Sequence, residues 1–146
     1  MENFINTKHV VATTHTGILV DIDAIIRSIK PLVISTWNHG IDANKATMKV
    51  LLAKGQALDA VEAGLKISEA DPNIQSVGFG GRPDGNGNIT LDACIMDSNG
   101  NAGSVAYLQN IKHPVSVARK IMEETDHVMM VGNGAKNGRF DSELCQ

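Results

Sequence analysis

Apolar and polar positions change rhythm along this chain. Residues 1–30 carry weak alternation without strong periodicity, and no element is assigned to them. From Pro31 the pattern sharpens. Leu32-Val33-Ile34, running into Ser35-Thr36-Trp37, has the β-branched, apolar character of a short buried strand. Asp42 suits a helix N-cap, and behind it Met48, Leu51 and Leu52 fall at i, i+3 and i+4 on one face of a helix that stops at Gly55. A second helix is expected from about Leu58, with Val61 and Leu65 on its buried face and Pro72 closing it.

A glycine-rich loop then precedes an alternating segment, FGGRPDGNGNITLDACIMD, from Phe79 to Asp97. Ile89 to Ile95 reads as a strand, Asp97-Ser98-Asn99-Gly100-Asn101 as a turn and Ala102 to Leu108 as the return strand of a hairpin. Pro114 fits a first helical position, and Val117, Ala118, Ile121 and Met122 give the third helix a packing stripe. His127 to Val131 reads as another buried strand, ended by Gly132-Asn133-Gly134. The order β-α-α-β-β-α-β predicts an α/β (α+β) arrangement in which helices layer against a sheet. No internal repeat or low-complexity segment interrupts it.

Composition removes several functions. With 146 residues, 42% apolar and 20% charged, the chain has the content of one globular domain. A net charge of -3 and 3% aromatics speak against a nucleic-acid partner. Cys94 and Cys145 form no C-x-x-C pair, so neither a zinc site nor a disulfide framework is indicated. No apolar run reaches the ~20 residues that span a bilayer, so no membrane partner is expected. The N-terminus has no clear basic start, and Thr14-His15-Thr16 breaks its apolar stretch, so no signal peptide is read there.

Candidate sites divide unevenly. Asp84, Asn86 and Asn88 have calcium-loop spacing, but Ile89 and Ile95 stand where the loop needs Gly and an acid. Asp97, Asn99 and Asn101 fail in the same way, with Ala102 and Leu108, and turn chemistry accounts for both. No other metal set is seen, since His9, His15, His39, His113 and His127 are scattered. Gly132 to Gly138 resembles a dinucleotide turn, but its third glycine is one residue late and a strand-to-loop turn is the better reading. Asp92 and Asp97 are expected to satisfy backbone donors at strand ends. Cys94 reads as a small core hydrophobe and His39 as a loop histidine. Trp37, the only tryptophan, follows a strand-like segment, and core residue and ligand platform stay equally open for it.

Taken in order, PLVISTWNHG, GQALDAVEAGL, SVGFGGRPDGNGNITLDACIMD and IKHPVSVARKIMEETDHVMMVGNGA resemble the glycosylasparaginase (aspartylglucosaminidase) family, and more loosely the plant-type asparaginases and isoaspartyl peptidases. The likeness divides the chain into an unassigned segment at 1–30, an α portion at 31–135 and a divergent tail at 136–146. It implies the N-terminal part of a four-layer αββα sandwich of the N-terminal nucleophile hydrolase type. In that family a precursor cuts itself between Asp and Thr. The freed Thr then attacks the amide joining asparagine to N-acetylglucosamine. An α-amine with a pKa near 7.7–8.0 is partly unprotonated close to neutral pH, so one residue can supply both nucleophile and base. Oxyanion and substrate-clamping donors belong to the β portion.

Carried onto this sequence, the resemblance makes Trp37 a substrate-binding residue. It makes Ser76, Gly78, Gly80 and Gly81 an active-site wall where glycine permits close backbone approach. The implied partners are the β portion with its Thr and a small glycosylated asparagine, with an oligomer once complete; no cofactor is implied. Family members are lysosomal or periplasmic. No Asp here is followed by Thr, so the chain reads as a truncated or split α portion with no catalytic residue of its own. The alternatives are a non-catalytic truncated remnant or partner-dependent binding protein, and a hydrolase of the plant-type asparaginase or isoaspartyl peptidase kind. His39, beside Trp37, puts the preference for sugar in question.

Overall fold

The computed structural model describes residues 11–13, 19–21 and 30–136. The chain forms two compact units, residues 1–32 and 33–146. In the first, the weak N-terminal alternation becomes a ladder: β1 (Val11–Thr13) pairs antiparallel with β2 (Leu19–Asp21), Val11 opposite Asp21.

The second unit opens without its expected strand. Residues 31–35 have no regular structure and 36–39 turn, with Ile34 80% exposed. A strand exists only in a ladder, and no described strand lies beside this segment. Helix α1 spans Gly40–Leu52, so the expected N-cap is displaced: His39 occupies that position, while Asp42 lies in the first turn and pairs with Lys45 at 2.7 Å. Carboxylates favour that turn as well as the cap, which is why Asp42 misplaces the boundary.

Helix α2 spans Ala57–Ala70 and packs on α1 through small residues. Its buried face is Ala60, Gly64 and Ser68, and that of α1 is Gly40, Ala43 and Thr47. A side chain on Gly64 would strike the Thr47 hydroxyl and lie 2.8 Å from the Ala43 carbonyl oxygen. Close approach therefore selects the faces, and the large residues expected inside turn outward: Leu52 is 70% exposed and Val61 43%. Leu65 is also partly exposed. Pro72 does close α2, with Asp71 already extended before it.

The predicted hairpin is present, one or two residues shorter at its start. β3 (Leu91–Met96) pairs antiparallel with β4 (Ala102–Leu108), and β4 pairs parallel with β5 (Met129–Val131). Asp97 closes the hairpin, accepting the Asn99 and Asn101 amides at 2.8 and 2.9 Å. Asp84 does the same for Asn86 and Asn88 at 2.8 and 2.9 Å. These bonds, from Asn88 first for Asp84 and from the Asn101 side chain first for Asp97, hold both carboxyls below the usual range. Both loops are Asx turns.

Helix α3 (Pro114–Glu124) covers one face of the sheet, with Pro114 in its first turn. Val105, Leu108, Val115, Val117 and Ile121 form the core between them. A side chain on Gly103 would run into the Ala118 carbonyl and stand 2.7 Å from the Met122 amide nitrogen, so strand and helix backbones touch there. The opposite face is bare. Cys94, Ser104 and Met129 lie in register across it, Met129 is 53% exposed and Val131 54%. The expectation of a buried strand at 127–131 is thus corrected, because helix cover stops at the other face. A five-residue helix, α4 (Gly132–Lys136), follows β5 at once.

Two polar joints tie α3 to α2. Arg119 reaches Asp59 and Glu62 on α2, each at 2.7 Å, and Glu123 on its own helix at 2.8 Å. Ser116 donates to the other oxygen of Glu62. At the far end the Glu69 carboxyl, with its side chain 7% exposed, accepts the Val115 amide at 2.9 Å and meets His113 Nδ1 at 3.3 Å. Burial pushes Glu69 up to about 7, against the lowering effect of the Val115 bond, and burial pushes His113 down. Lys66 on α2 favours the Glu69 anion and opposes the His113 cation, Lys112 also opposes that cation, and Glu62 acts in the reverse sense on both.

Replacing Gly103 by Val is expected to cost roughly 2–3 kcal/mol in chemical denaturation. Gly134→Ala, in open space, is expected to cost under about 1 kcal/mol. Equal effects would show that the β4–α3 contact is loose. For Glu69 the sign follows from its raised value: the folded state holds the proton more tightly, so stability is fullest below pH 4.5 and falls as pH rises to about 7. Glu69→Gln should therefore gain on the wild type across that window, by up to roughly 3 kcal/mol. Parallel stability–pH curves would contradict this.

Candidate active-site cleft

A cleft of about 430 Å³ lies where the 34–40 turn, the α1–α2 pair, Gly78 and β3 meet. Trp37, His39, Glu69, Asp92 and Cys94 line it together with the hydroxyls of Ser35, Thr36 and Ser68, and the Val115 end of α3 closes it. The turn is set by its own backbone: the Gly40 amide donates to the Trp37 carbonyl at 2.9 Å and the His39 amide to Asn38 Oδ1 at 2.9 Å. Gly40 is required because the Ser35 side chain occupies the space a side chain there would need. The result projects Trp37 outward, 70% exposed, and lays His39 parallel to it, ring centres 6.3 Å apart and planes 6° apart. The open choice for Trp37 is decided against the core.

The glycine segment divides in two. Gly78 lines the cleft and has a positive φ of 60°, with its α-carbon pressed against the Glu69 backbone. Gly80 faces the Ile74 and Pro72 carbonyls at 2.5 and 2.6 Å from where a Cβ would stand. Gly81 is set against the Gly78 carbonyl and the Ile89 side chain. Ser76 is exposed on the same loop. The structure therefore brings Trp37 and Gly78 to one cleft, while Ser76, Gly80 and Gly81 belong to the loop behind it. That loop is braced by Arg82, whose guanidinium donates to Gln75 Oε1 at 2.9 and 3.1 Å.

Cys94 differs from its expected place: it is exposed on the bare sheet face, because the β3 register turns Ala93 and Ile95 toward α3 instead. Asp92 satisfies a backbone donor as expected, accepting the Tyr107 amide at 2.9 Å beside a bulge in the β3–β4 ladder. Glu69 and its contact with His113 are not read from the sequence. A signal was present: Glu69 sits in the last turn of α2, where the helix dipole disfavours an acid, and its companion is the first turn of α3, where the dipole favours one.

No Lys or Arg among the described residues lines the wall. Among the described residues, no hydroxyl or thiol in it is hydrogen-bonded to an imidazole or carboxylate, the arrangement that would activate a nucleophile. A larger cavity of about 720 Å³ lies on the other side of Gly78, lined by Phe79, Asn88, Gln109, Asn110 and Lys112. Among the described residues its lining has amides and the Lys112 cation but neither acid nor imidazole, so the Trp37 cleft is the stronger candidate. No group of three or more metal-binding side chains occurs among the described residues.

Comparison with known proteins gives this cleft a context. A family profile described as Asparaginase matches residues 27–144. The chain is 60% identical over 106 residues to an N(4)-(beta-N-acetylglucosaminyl)-L-asparaginase of Elizabethkingia miricola, covering 73% of this chain and 31% of that protein. It is 44% identical over 106 residues to the protein of the same name from Mus musculus, covering 72% and 30%. A plant-type L-asparaginase of Pyrococcus horikoshii is 41% identical over 115 residues, covering 78% and 33%. The chain thus spans about a third of the length of these relatives. With this match running through the Trp37 turn, the glycine loop and the hairpin, the chain belongs to the asparaginase family.

Proposed function

We propose that this chain forms one wall of an amidohydrolase active site that cleaves the amide joining asparagine to N-acetylglucosamine, with the attacking hydroxyl carried by a different stretch of polypeptide. The observation that carries this reading is the shared cleft of Trp37, His39 and Gly78, in a sequence 60% identical to a protein named for that amide. The wall offers an aromatic platform and a close-packed backbone edge. It offers no activated nucleophile among the described residues, and the sequence contains no Asp-Thr pair at which a new N-terminal Thr could be released.

The nucleophile in this reading is an N-terminal Thr whose own α-amine takes the hydroxyl proton. Trp37 stacks on the substrate from the side opposite the Thr. The Gly78 edge lies close beside it because no side chain intervenes, and Ser76, Gly80 and Gly81 support that edge from behind. Oxyanion stabilisation and recognition of the substrate's carboxylate come from the complementary portion, which fits a wall lacking Lys and Arg. His39 extends the aromatic platform, its stacking on Trp37 standing in for a larger ring.

The bare sheet face supports the same assembly. Helix α3 on one side and exposed Met96, Met129 and Val131 on the other leave half of a helix–sheet–sheet–helix stack. A second sheet from the complementary portion completes the four-layer αββα sandwich and covers these residues.

The test is co-expression with the remaining two-thirds of a relative such as the Elizabethkingia protein, followed by assay on glycosylasparagine and on free asparagine. The chain alone is expected to show no turnover above a no-enzyme blank, and the complemented protein to hydrolyse glycosylasparagine. Trp37→Ala in the complemented protein should lower kcat/KM about 10- to 100-fold, as expected for removing an aromatic contact of ~1.5–3 kcal/mol. Turnover by the chain alone, or an assembled complex active on asparagine and inert to glycosylasparagine, would overturn the reading. Met129→Lys is expected to block complementation while leaving the melting of the chain alone unchanged. Normal assembly by this variant would show that the second sheet does not cover this face.

A further inference from the structure

Glu69 is a buried carboxyl that no step of the proposed reaction uses, and three elements converge on it. Its backbone, at the end of α2, is the surface against which Gly78 is pressed with no room for a Cβ. One carboxyl oxygen accepts the Val115 amide at 2.9 Å, and the other is 3.3 Å from His113 Nδ1. Gly78, Glu69 and Val115 all line the cleft that contains Trp37. The Gly78 wall thus packs on the Glu69 backbone, while the Glu69 carboxyl holds the first turn of α3.

We propose that Glu69 is a positioning residue, whose carboxyl fixes the Gly78 wall and the start of α3 at one spacing across the cleft from Trp37. His113 is its second anchor, holding the carboxyl in the rotamer that reaches Val115. Helix capping alone would explain the Val115 bond; the added observation is that the residue held by that bond also backs Gly78, leaving no room there for a side chain. The proposal deepens the reading of the cleft as a reactive site and rests on it for any catalytic consequence. Its test does not use turnover, so the two can fail separately.

Hydrogen–deuterium exchange read by mass spectrometry on the full chain distinguishes positioning from capping. Glu69→Ala is expected to speed exchange about tenfold in two segments, 74–81 and 113–118, and to leave β3 and β4 unchanged; tenfold is the size of one lost capping hydrogen bond. Glu69→Gln should restore protection, since its amide oxygen still accepts from Val115. His113→Ala should give a smaller acceleration in the same two segments. Acceleration confined to 113–118 would reduce Glu69 to a helix cap, and acceleration spreading through β3 and β4 would make it a general stabiliser; either overturns the proposal. So would failure of Gln to protect. Should Glu69→Ala not fold, His113→Ala decides by the same pattern.

Discussion

A single buried carboxyl organises the cleft. Glu69 stands where α2 ends: its carboxyl accepts the Val115 amide at the start of α3, and its backbone fills the space beside Gly78 of the glycine loop. An acid at a helix C-terminus opposes that helix's dipole, but this one is also at the N-terminus of its neighbour, where the unpaired amides favour it. Burial raises the carboxyl to about 7, so near neutral pH it is close to half-protonated. Its partner His113 is pushed toward the neutral form by burial and by the two lysines around it, which keeps the pair from being a simple ion pair. The Val115 bond favours the charged carboxyl while burial, the larger effect, opposes it.

The second constraint is the unequal covering of the sheet. Gly103 lets β4 touch the backbone of α3, which makes that side close-packed, while the other side presents methionine, valine and a thiol to the outside. A sheet with one face packed and one face bare is the half that the proposed sandwich requires. Cys94, exposed on that bare face, is also among the residues that line the Trp37 cleft.

The hairpin, the Asx turns, the start of α3 at Pro114 and the end of α2 at Pro72 were all legible, because each rests on local chemistry that tertiary contacts reinforce. Where the reading failed, tertiary packing had overruled size. Helices α1 and α2 meet through Ala43, Thr47, Ala60 and Gly64 because only small residues let their backbones approach, and periodicity of large residues pointed to the wrong face. The segments 32–37 and 127–131 have strand composition, but one lacks a described ladder partner and the other lacks cover on its outer side. Motif resemblance singles out Trp37 and Gly78, which line one cleft in the structure. It does not single out Glu69, since its meaning lies in a helix 46 residues further along the chain.

Cys94 offers the most direct measurement of the central claim, because it lines the cleft and lies on the bare sheet face at once. In a Cys145→Ser background, its rate of modification by a small thiol reagent is measured for the chain alone and for the complex with a relative's complementary portion. Fast labelling of the chain alone and strong protection in the complex is the result this account predicts. Equal rates in the two, in a complex proven to be assembled, would contradict it.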